Sequence, residues 1–220
     1  VKTALAEVYD KGYGKYGSPK GITELREALA KSTRASDGTD CTKENIMICP
    51  GARFAVYLAI TTLLNPGDEI IVIEPAWPAY KDCALNAGIK VRTIKTTLET
   101  KWEPSVEQIN NAINENTKMI VLNYPNNPTG KILPYHPVYM AEDPARFWRH
   151  DMISSIIDIA MEHDLYVLSD EIYEWYYRTE SEVPLSARNY PKGYNPYEKT
   201  IVINSFSKSH AMTGFRIGYA

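Results

Sequence analysis

The stretch Asn65-Pro66-Gly67-Asp68-Glu69-Ile70-Ile71-Val72-Ile73, with Pro78 to Ala87 and Ile89 to Ile94 behind it, decides the fold. Asn65 to Asp68 is a turn by composition. Glu69 to Ile73 is a short apolar run bounded by that turn, which predicts a strand. Pro78 to Ala87 predicts a helix stopped by Gly88, and Ile89 to Ile94 predicts a second strand. Strand, helix and strand in succession form the unit of a parallel sheet.

The same alternation extends in both directions. Upstream, Ile22, Leu25, Ala28 and Leu29 set a helical spacing over 22–35. Asn45 to Cys49 reads as a short buried strand, and Pro50-Gly51 opens a helix over 52–64. Downstream, Ser105 with Gln108 three residues later is a capping-box pattern that starts a helix to about Asn114. Met119 to Leu122, Tyr166 to Leu168 and Ile201 to Ile203 predict further strands, and Met152 to His163 a helix. The fold class is α/β with a mostly parallel sheet. Between Pro134 and Asp151 the sequence shows no periodicity and carries Pro137 and Pro144, so a long loop is expected there.

At 220 residues the chain is long enough for one domain with a well-buried core. A net charge of −3 and a pI near 5.9 point away from nucleic acid and anionic membranes as partners. The longest apolar stretch, Phe54 to Leu64, is too short to span a bilayer and is broken by Tyr57 and two threonines. Cys41, Cys49 and Cys83 are odd in number and follow no metal spacing. They are expected to be reduced and mostly buried, as in a cytoplasmic protein. His136, His150, His163 and His210 show no ligand spacing, and no metal site is expected. The chain starts at Val1 without a methionine and stops at Ala220 inside the apolar run 215–220, and it is read as a piece of a longer protein.

Three clusters carry chemistry. In Ser205-Phe206-Ser207-Lys208-Ser209-His210, with Arg216 eight residues after the lysine, an amine and a guanidinium lie a short loop apart. Such a pair can hold an aldehyde cofactor covalently and its phosphate ionically. The others are Asn123-Tyr124-Pro125-Asn126-Asn127-Pro128-Thr129-Gly130 and Asp170-Glu171-Ile172-Tyr173. Asp170 follows the apolar strand 165–169, on the ligand side of an open α/β sheet. Gly51-Ala52-Arg53 offers backbone amides where a helix starts, a ready anion site. Each has a plainer account: a solvated lysine, a helix-capping Asp170, a turn-forming Asn127, a core Trp77. Only their joint occurrence in this order favours function.

Two motifs fail on context. Gly12-Tyr13-Gly14-Lys15-Tyr16-Gly17 fits a dinucleotide-binding pattern, but a helix-like segment precedes it, and Pro19 and Gly21 interrupt any helix after it. Ser205 and Lys208 fit the S-x-x-K of serine acyl-enzymes, whose other two motifs are missing.

Taken in order, the three clusters resemble the pyridoxal-phosphate (PLP) enzymes of the aspartate aminotransferase superfamily, the class I/II aminotransferases of fold type I. The resemblance runs from about Tyr16 to Gly218. It implies a three-layer α/β/α large domain over 1–220 that binds pyridoxal 5′-phosphate. Lys208 would hold the cofactor, Asp170 would bond its ring nitrogen, and Tyr173 and Asn127 its phenolate oxygen; Lys208, Asp170 and Tyr173 take the catalytic roles. Trp77 would stack on the ring. Arg216, Ser205 and the amides of Ala52 and Arg53 would bind the phosphate, and Tyr16 would reach the phosphate of a neighbouring subunit, which implies a homodimer with shared active sites. The activity implied is transfer of an amino group between an amino acid and a 2-oxo acid. A PLP-dependent C–S lyase of the same fold, or a non-enzymatic regulator carrying such a domain, are the alternatives. Two departures stand out. In the family the Asn-Pro-Thr-Gly loop leads almost directly into the helix matched by 152–163, so 134–151 is an addition. The small domain, with the arginine that pairs with the substrate's α-carboxylate, is expected to lie outside this chain.

Overall fold

The computed structural model describes residues 2–11, 13, 15–37, 40–133, 152–177, 186–187 and 198–220. The loop expected over 134–151, with His136 and His150, and the glycines Gly12 and Gly14 lie outside them. The helices are α1 (Lys2–Asp10), α2 (Thr23–Asp37), α3 (Ala52–Leu63), α4 (Ala79–Asn86), α5 (Val106–Ala112), α6 (Met152–Glu162) and α7 (Phe206–Ser209). The strands are β1 (Ile48–Cys49), β2 (Glu69–Glu74), β3 (Lys90–Lys95), β4 (Thr117–Leu122), β5 (Tyr166–Asp170), β6 (Thr200–Ser205) and β7 (Gly218–Tyr219). Among the described residues they form one sheet in the order β1-β7-β6-β5-β4-β2-β3. Neighbours from β6 through β3 are parallel; β7 is antiparallel to both β6 and β1.

The apolar runs are continuous because both faces of the sheet are covered. Alternate side chains of each strand point to opposite faces. Ile70 and Val72 of β2, with Met119 and Val121 of β4, pack under Val56 and Ile60 of α3 and Tyr80 and Ala84 of α4. Ile71, Ile73, Ile120 and Leu122 face the other way, under Ile109 of α5 and Ile153, Ile156 and Ile157 of α6. The result is the expected three-layer α/β/α arrangement. The capping box at Ser105 is present: its hydroxyl accepts from the Gln108 amide at 3.1 Å, and the Gln108 side chain accepts from the Ser105 amide at 2.9 Å. Among the described residues no helix is long and apolar enough to cross a membrane.

One strand is shorter than its sequence predicts. The run 45–49 forms only the two-residue β1, behind a tight turn at Lys43–Asn45. A local capping box between Thr42 and Asn45 holds that turn. Buried Arg26 of α2 takes the carbonyls of Lys43 and Ile46 at 2.7 and 3.0 Å, and backbone pairing begins one residue later, at Met47, which exchanges bonds with Ala220 at 2.8 and 3.0 Å. The three cysteines are buried thiols, as expected.

From β2 the chain goes outward to β3, then returns to place β4 on the opposite side of β2 and moves on to β5 and β6. That reversal opens a crevice at the carboxyl ends of β2 and β4, where open α/β sheets bind ligands.

Candidate active site

The anion end of the crevice is built from backbone. Gly51 precedes α3 with φ +88° and ψ 159°, a conformation that residues with side chains rarely adopt. Its own amide bonds the Cys49 carbonyl at 2.7 Å and the first bond along the helix is from the Ala55 amide to the Gly51 carbonyl, so the amides of Ala52 and Arg53 lie in the first turn, at the positive end of the helix. Arg216 lies against this helix start: a Cβ on Gly51 would sit 2.3 Å from its Nη2. Gly218 approaches from the other side, where a Cβ would meet the Ala52 nitrogen at 2.6 Å. Arg216 Nη1 donates to the Thr213 carbonyl at 2.8 Å, which fixes the guanidinium.

A second group forms around Asp170. Trp77 lies just before the Pro78 cap of α4 and Tyr80 is the second residue of the helix; the Tyr80 amide donates to the Trp77 carbonyl at 3.3 Å, a turn that brings the two side chains together. Their rings meet edge-on at 5.4 Å, and the Arg53 guanidinium lies 5.0 Å from the Trp77 ring centre. The buried Tyr80 hydroxyl donates to Asp170 Oδ2 at 2.6 Å, and the Ile172 amide donates to Oδ1 at 3.2 Å. Asp170, the last residue of β5, is only 3% exposed. Burial pushes its carboxyl up to about 6; the Tyr80 and Ile172 bonds hold it down, while the Glu171 charge adds to the rise. Burial also pushes the Tyr80 phenol well above its ordinary value, and the Asp170 charge adds to that. The shared proton therefore stays on Tyr80.

The loop after β4 is held by its own amides. Asn123 donates to the Asp170 carbonyl at 3.0 Å and accepts from the Asn127 amide at 2.9 Å. The Asn126 side chain accepts from the Thr129 amide and hydroxyl at 3.1 and 2.7 Å and donates to the Pro75 carbonyl at 3.2 Å. The loop is thus tied to the ends of both β2 and β5. Asn127 is left with its side-chain amide 3.5 Å from the Tyr173 hydroxyl. Lys208, on α7, has its ammonium 5.6 Å from the Tyr173 ring centre.

These groups line one cleft of about 500 Å³. Eight of the ten residues singled out in the sequence are on its wall: Ala52, Arg53, Trp77, Asn127, Asp170, Tyr173, Lys208 and Arg216. Ser205 and Tyr16 are not. Ser205 caps α7, accepting from the Ser207 amide at 3.0 Å and donating to the Ile217 carbonyl at 2.9 Å, and the hydroxyl on the wall is that of Ser207. Tyr16 is fully exposed. Sequence reasoning missed Tyr80, Asn123, Ile172, Ser207 and Thr213 on the wall. Neither Tyr80 nor Thr213 has a sequence signal, since Trp77 precedes α4 and helical spacing does not connect it to Tyr80.

This donor set defines a class: a three-layer α/β protein whose cleft suits a flat, phosphorylated, aldehyde-bearing cofactor. A cradle that a Cβ would fill, beside two helix-start amides and a guanidinium, suits a phosphate. A buried carboxylate on the same wall suits a cationic ring nitrogen, and the Lys208 amine, also on it, suits an aldehyde. A family profile described as aminotransferase class I and II matches residues 1–138 and 145–220, and the chain belongs to this family. Members of the family depend on pyridoxal 5′-phosphate, and the residues present fit that cofactor. The chain is 35% identical over its whole length to the aspartate/prephenate aminotransferase of Thermus thermophilus, covering 51% of that protein. It matches the crystal structure of the aspartate aminotransferase of Thermotoga maritima with a TM-score of 0.84 at 32% identity, over 99% of this chain and 52% of that one. The aromatic aminotransferase of Pyrococcus horikoshii matches with a TM-score of 0.84 at 30% identity, over 99% and 53%. The chain spans about half the length of the curated relatives it matches.

Proposed function

We propose that the complete protein is a PLP-dependent aminotransferase that moves an amino group between an amino acid and a 2-oxo acid. The observation that carries this reading is the meeting of Lys208, Asp170 and Arg216 on the wall of one cleft. When bound, the cofactor supplies an aldehyde for amine exchange and a ring that takes up the electron pair left at the substrate's Cα. Lys208 Nζ anchors the aldehyde and, once released, receives and returns the Cα proton. Asp170 keeps the ring nitrogen protonated, and Tyr173 and Asn127 donate to the ring oxygen. Trp77 supports the ring with its flat face. Arg216 and the Ala52 and Arg53 amides bind the phosphate.

In this reading the chain is the large, cofactor-binding domain, and the group that pairs with the substrate's α-carboxylate lies elsewhere in the complete protein. The protein is a cytoplasmic homodimer, and exposed Tyr16 completes the phosphate site of the partner subunit. Support for an exchanged Tyr16 is its full exposure and its place off the cleft wall of its own chain. A hybrid of Tyr16→Phe and Lys208→Ala chains tests this point: its one lysine-bearing site should bind PLP as tightly as wild type. An affinity equal to that of the Tyr16→Phe homodimer removes the exchange.

The activity is tested with the full reading frame. Borohydride reduction and peptide mapping should find the cofactor on Lys208, and Lys208→Ala should abolish amino transfer to a 2-oxo acid. Wild-type transfer by Lys208→Ala sinks the assignment. Release of pyruvate and ammonia from a cysteine conjugate without an acceptor makes the protein a C–S lyase instead.

A further inference from the structure

Tyr80 has no part in the roles above, yet its hydroxyl makes the shortest contact to the cleft's carboxylate. We infer that Tyr80 is a positioning residue: its buried hydroxyl fixes Asp170 as an ionised carboxylate facing the cleft, ready for a cationic ring nitrogen. The inference rests on the proposed PLP site and names a member of it that no sequence motif marks.

The geometry is specific. Tyr80 is 1% exposed and Asp170 3%, so the bond between them is shielded from bulk water. Tyr80 holds Oδ2 and the Ile172 amide holds Oδ1, which fixes the plane of the carboxylate and leaves its remaining lone pairs toward the cleft. α4 follows β2, and Asp170 ends β5, with β4 between them. Two strand spacings separate β2 from β5, roughly 10 Å. A phenol is long enough to reach across from α4, and a serine or threonine at the same position is not. Tyr80 also packs edge-on against Trp77, so the turn that opens α4 sets both the floor of the cleft and the carboxylate at its end.

No cation substitutes for the phenol. The charged and titratable groups around Asp170 are Glu171 next to it and Tyr173, Lys208, Arg53 and Arg216 on the cleft wall. Among the described residues none of these cations bonds Asp170, whose donors are Tyr80 and the Ile172 amide. Those two bonds work against the desolvation that pushes the carboxyl up to about 6, so each one lost should raise it further.

The test uses the complete protein, freed of cofactor, with ¹³C-labelled aspartate and Asp170→Asn to assign the signal. Tyr80→Phe removes one oxygen and keeps the ring. The Asp170 titration midpoint should move up, a gain in proton affinity of about tenfold or more, because a donor to a charged group is lost. PLP affinity should fall by a similar factor. An unchanged midpoint overturns the inference, whatever happens to thermal stability, since a merely structural Tyr80 would not move it. If Tyr80→Phe does not fold, a ring-fluorinated tyrosine is placed at position 80, which keeps the shape and makes the hydroxyl a stronger donor; a midpoint displaced downward supports the inference, and an unchanged midpoint overturns it. Failure of the wild-type protein to take up PLP removes the proposed function, and the titration still decides Tyr80.

Discussion

Gly51→Ala separates the two jobs of the turn before α3. The first is conformational. At φ +88° and ψ 159° an alanine is held in a region essentially reserved for glycine, which costs about 1–3 kcal/mol of folding stability. The second is spatial. The new methyl would lie 2.3 Å from Arg216 Nη2 and 2.9 Å from its Cζ. Those atoms end a flexible side chain, so the guanidinium swings away and breaks its bond to the Thr213 carbonyl while the fold survives. The anion cradle then loses its charged member. Each lost bond between a guanidinium and a phosphate is worth about 1.5–3 kcal/mol, so PLP affinity should fall roughly 10- to 100-fold. Urea unfolding of the cofactor-free protein reads the first effect, and equilibrium uptake at the cofactor's visible band reads the second. Pyridoxal, which lacks the phosphate, is the control and should bind Gly51→Ala and wild type alike. Wild-type PLP affinity refutes the reasoning, and so does an equal loss for PLP and pyridoxal. Gly218→Ala makes the contrast, because its methyl meets the backbone of Gly51 and Ala52 at 2.6 Å and nothing flexible can give. Its effect should fall on folding, by about 1–3 kcal/mol or more.

Three further outcomes are expected. Ser105→Ala removes a capping box and should lower stability by about 1 kcal/mol in a urea melt, with PLP uptake unchanged. Asp170 has a folded value of about 6 against an ordinary 3.8, so its contribution to stability is present below about pH 4 and lost as pH rises through 6. Cofactor-free Asp170→Asn should therefore gain up to about 3 kcal/mol over wild type at pH 8 and nothing at pH 4; an equal gain at both pH values contradicts the assignment of that shift. Burial pushes the Cys49 and Cys83 thiols up, so iodoacetamide should label them only after unfolding, and rapid labelling of the native protein would show that the core around them opens.

What the sequence made legible follows from how local each signal is. The run Glu69 to Ile73 and the pair Ser105 and Gln108 need nothing beyond their own neighbours, and both appear as expected. The strand predicted over 45–49 pairs only from Met47 onward, because Lys43 to Asn45 close a capped turn that Arg26, about twenty residues upstream, holds through the Lys43 and Ile46 carbonyls, and periodicity has no means to register that contact. The cleft residues were legible wherever a residue type and a strand end coincide, as at Asp170 and Trp77. Ser205 and Ser207 show the limit. Both are hydroxyls within three residues of Lys208, and only the start of α7 decides that the first caps the helix and the second faces the cleft. Tyr80 was hidden for a similar reason: its partner lies 90 residues away.

The antiparallel β7 explains how residues so far apart in sequence reach one cleft. Parallel strands β2, β4, β5 and β6 all end on the same edge of the sheet, which delivers Trp77, Asn127, Asp170 and Lys208 just beyond their carboxyl ends. Arg216 precedes a strand instead. Because β7 runs against β6, its amino end lies on that same edge, and Arg216 arrives there two residues before Gly218. β1 runs against β7 and so along β6, which brings its own carboxyl end, and with it Gly51 and the start of α3, to the same place. A β7 parallel to β6 would put Arg216 at the opposite edge, roughly 15–20 Å away for strands of this length. The phosphate cradle therefore depends on two short antiparallel strands at the edge of an otherwise parallel sheet, whose register sets Gly218 against Cys49 and Ser205.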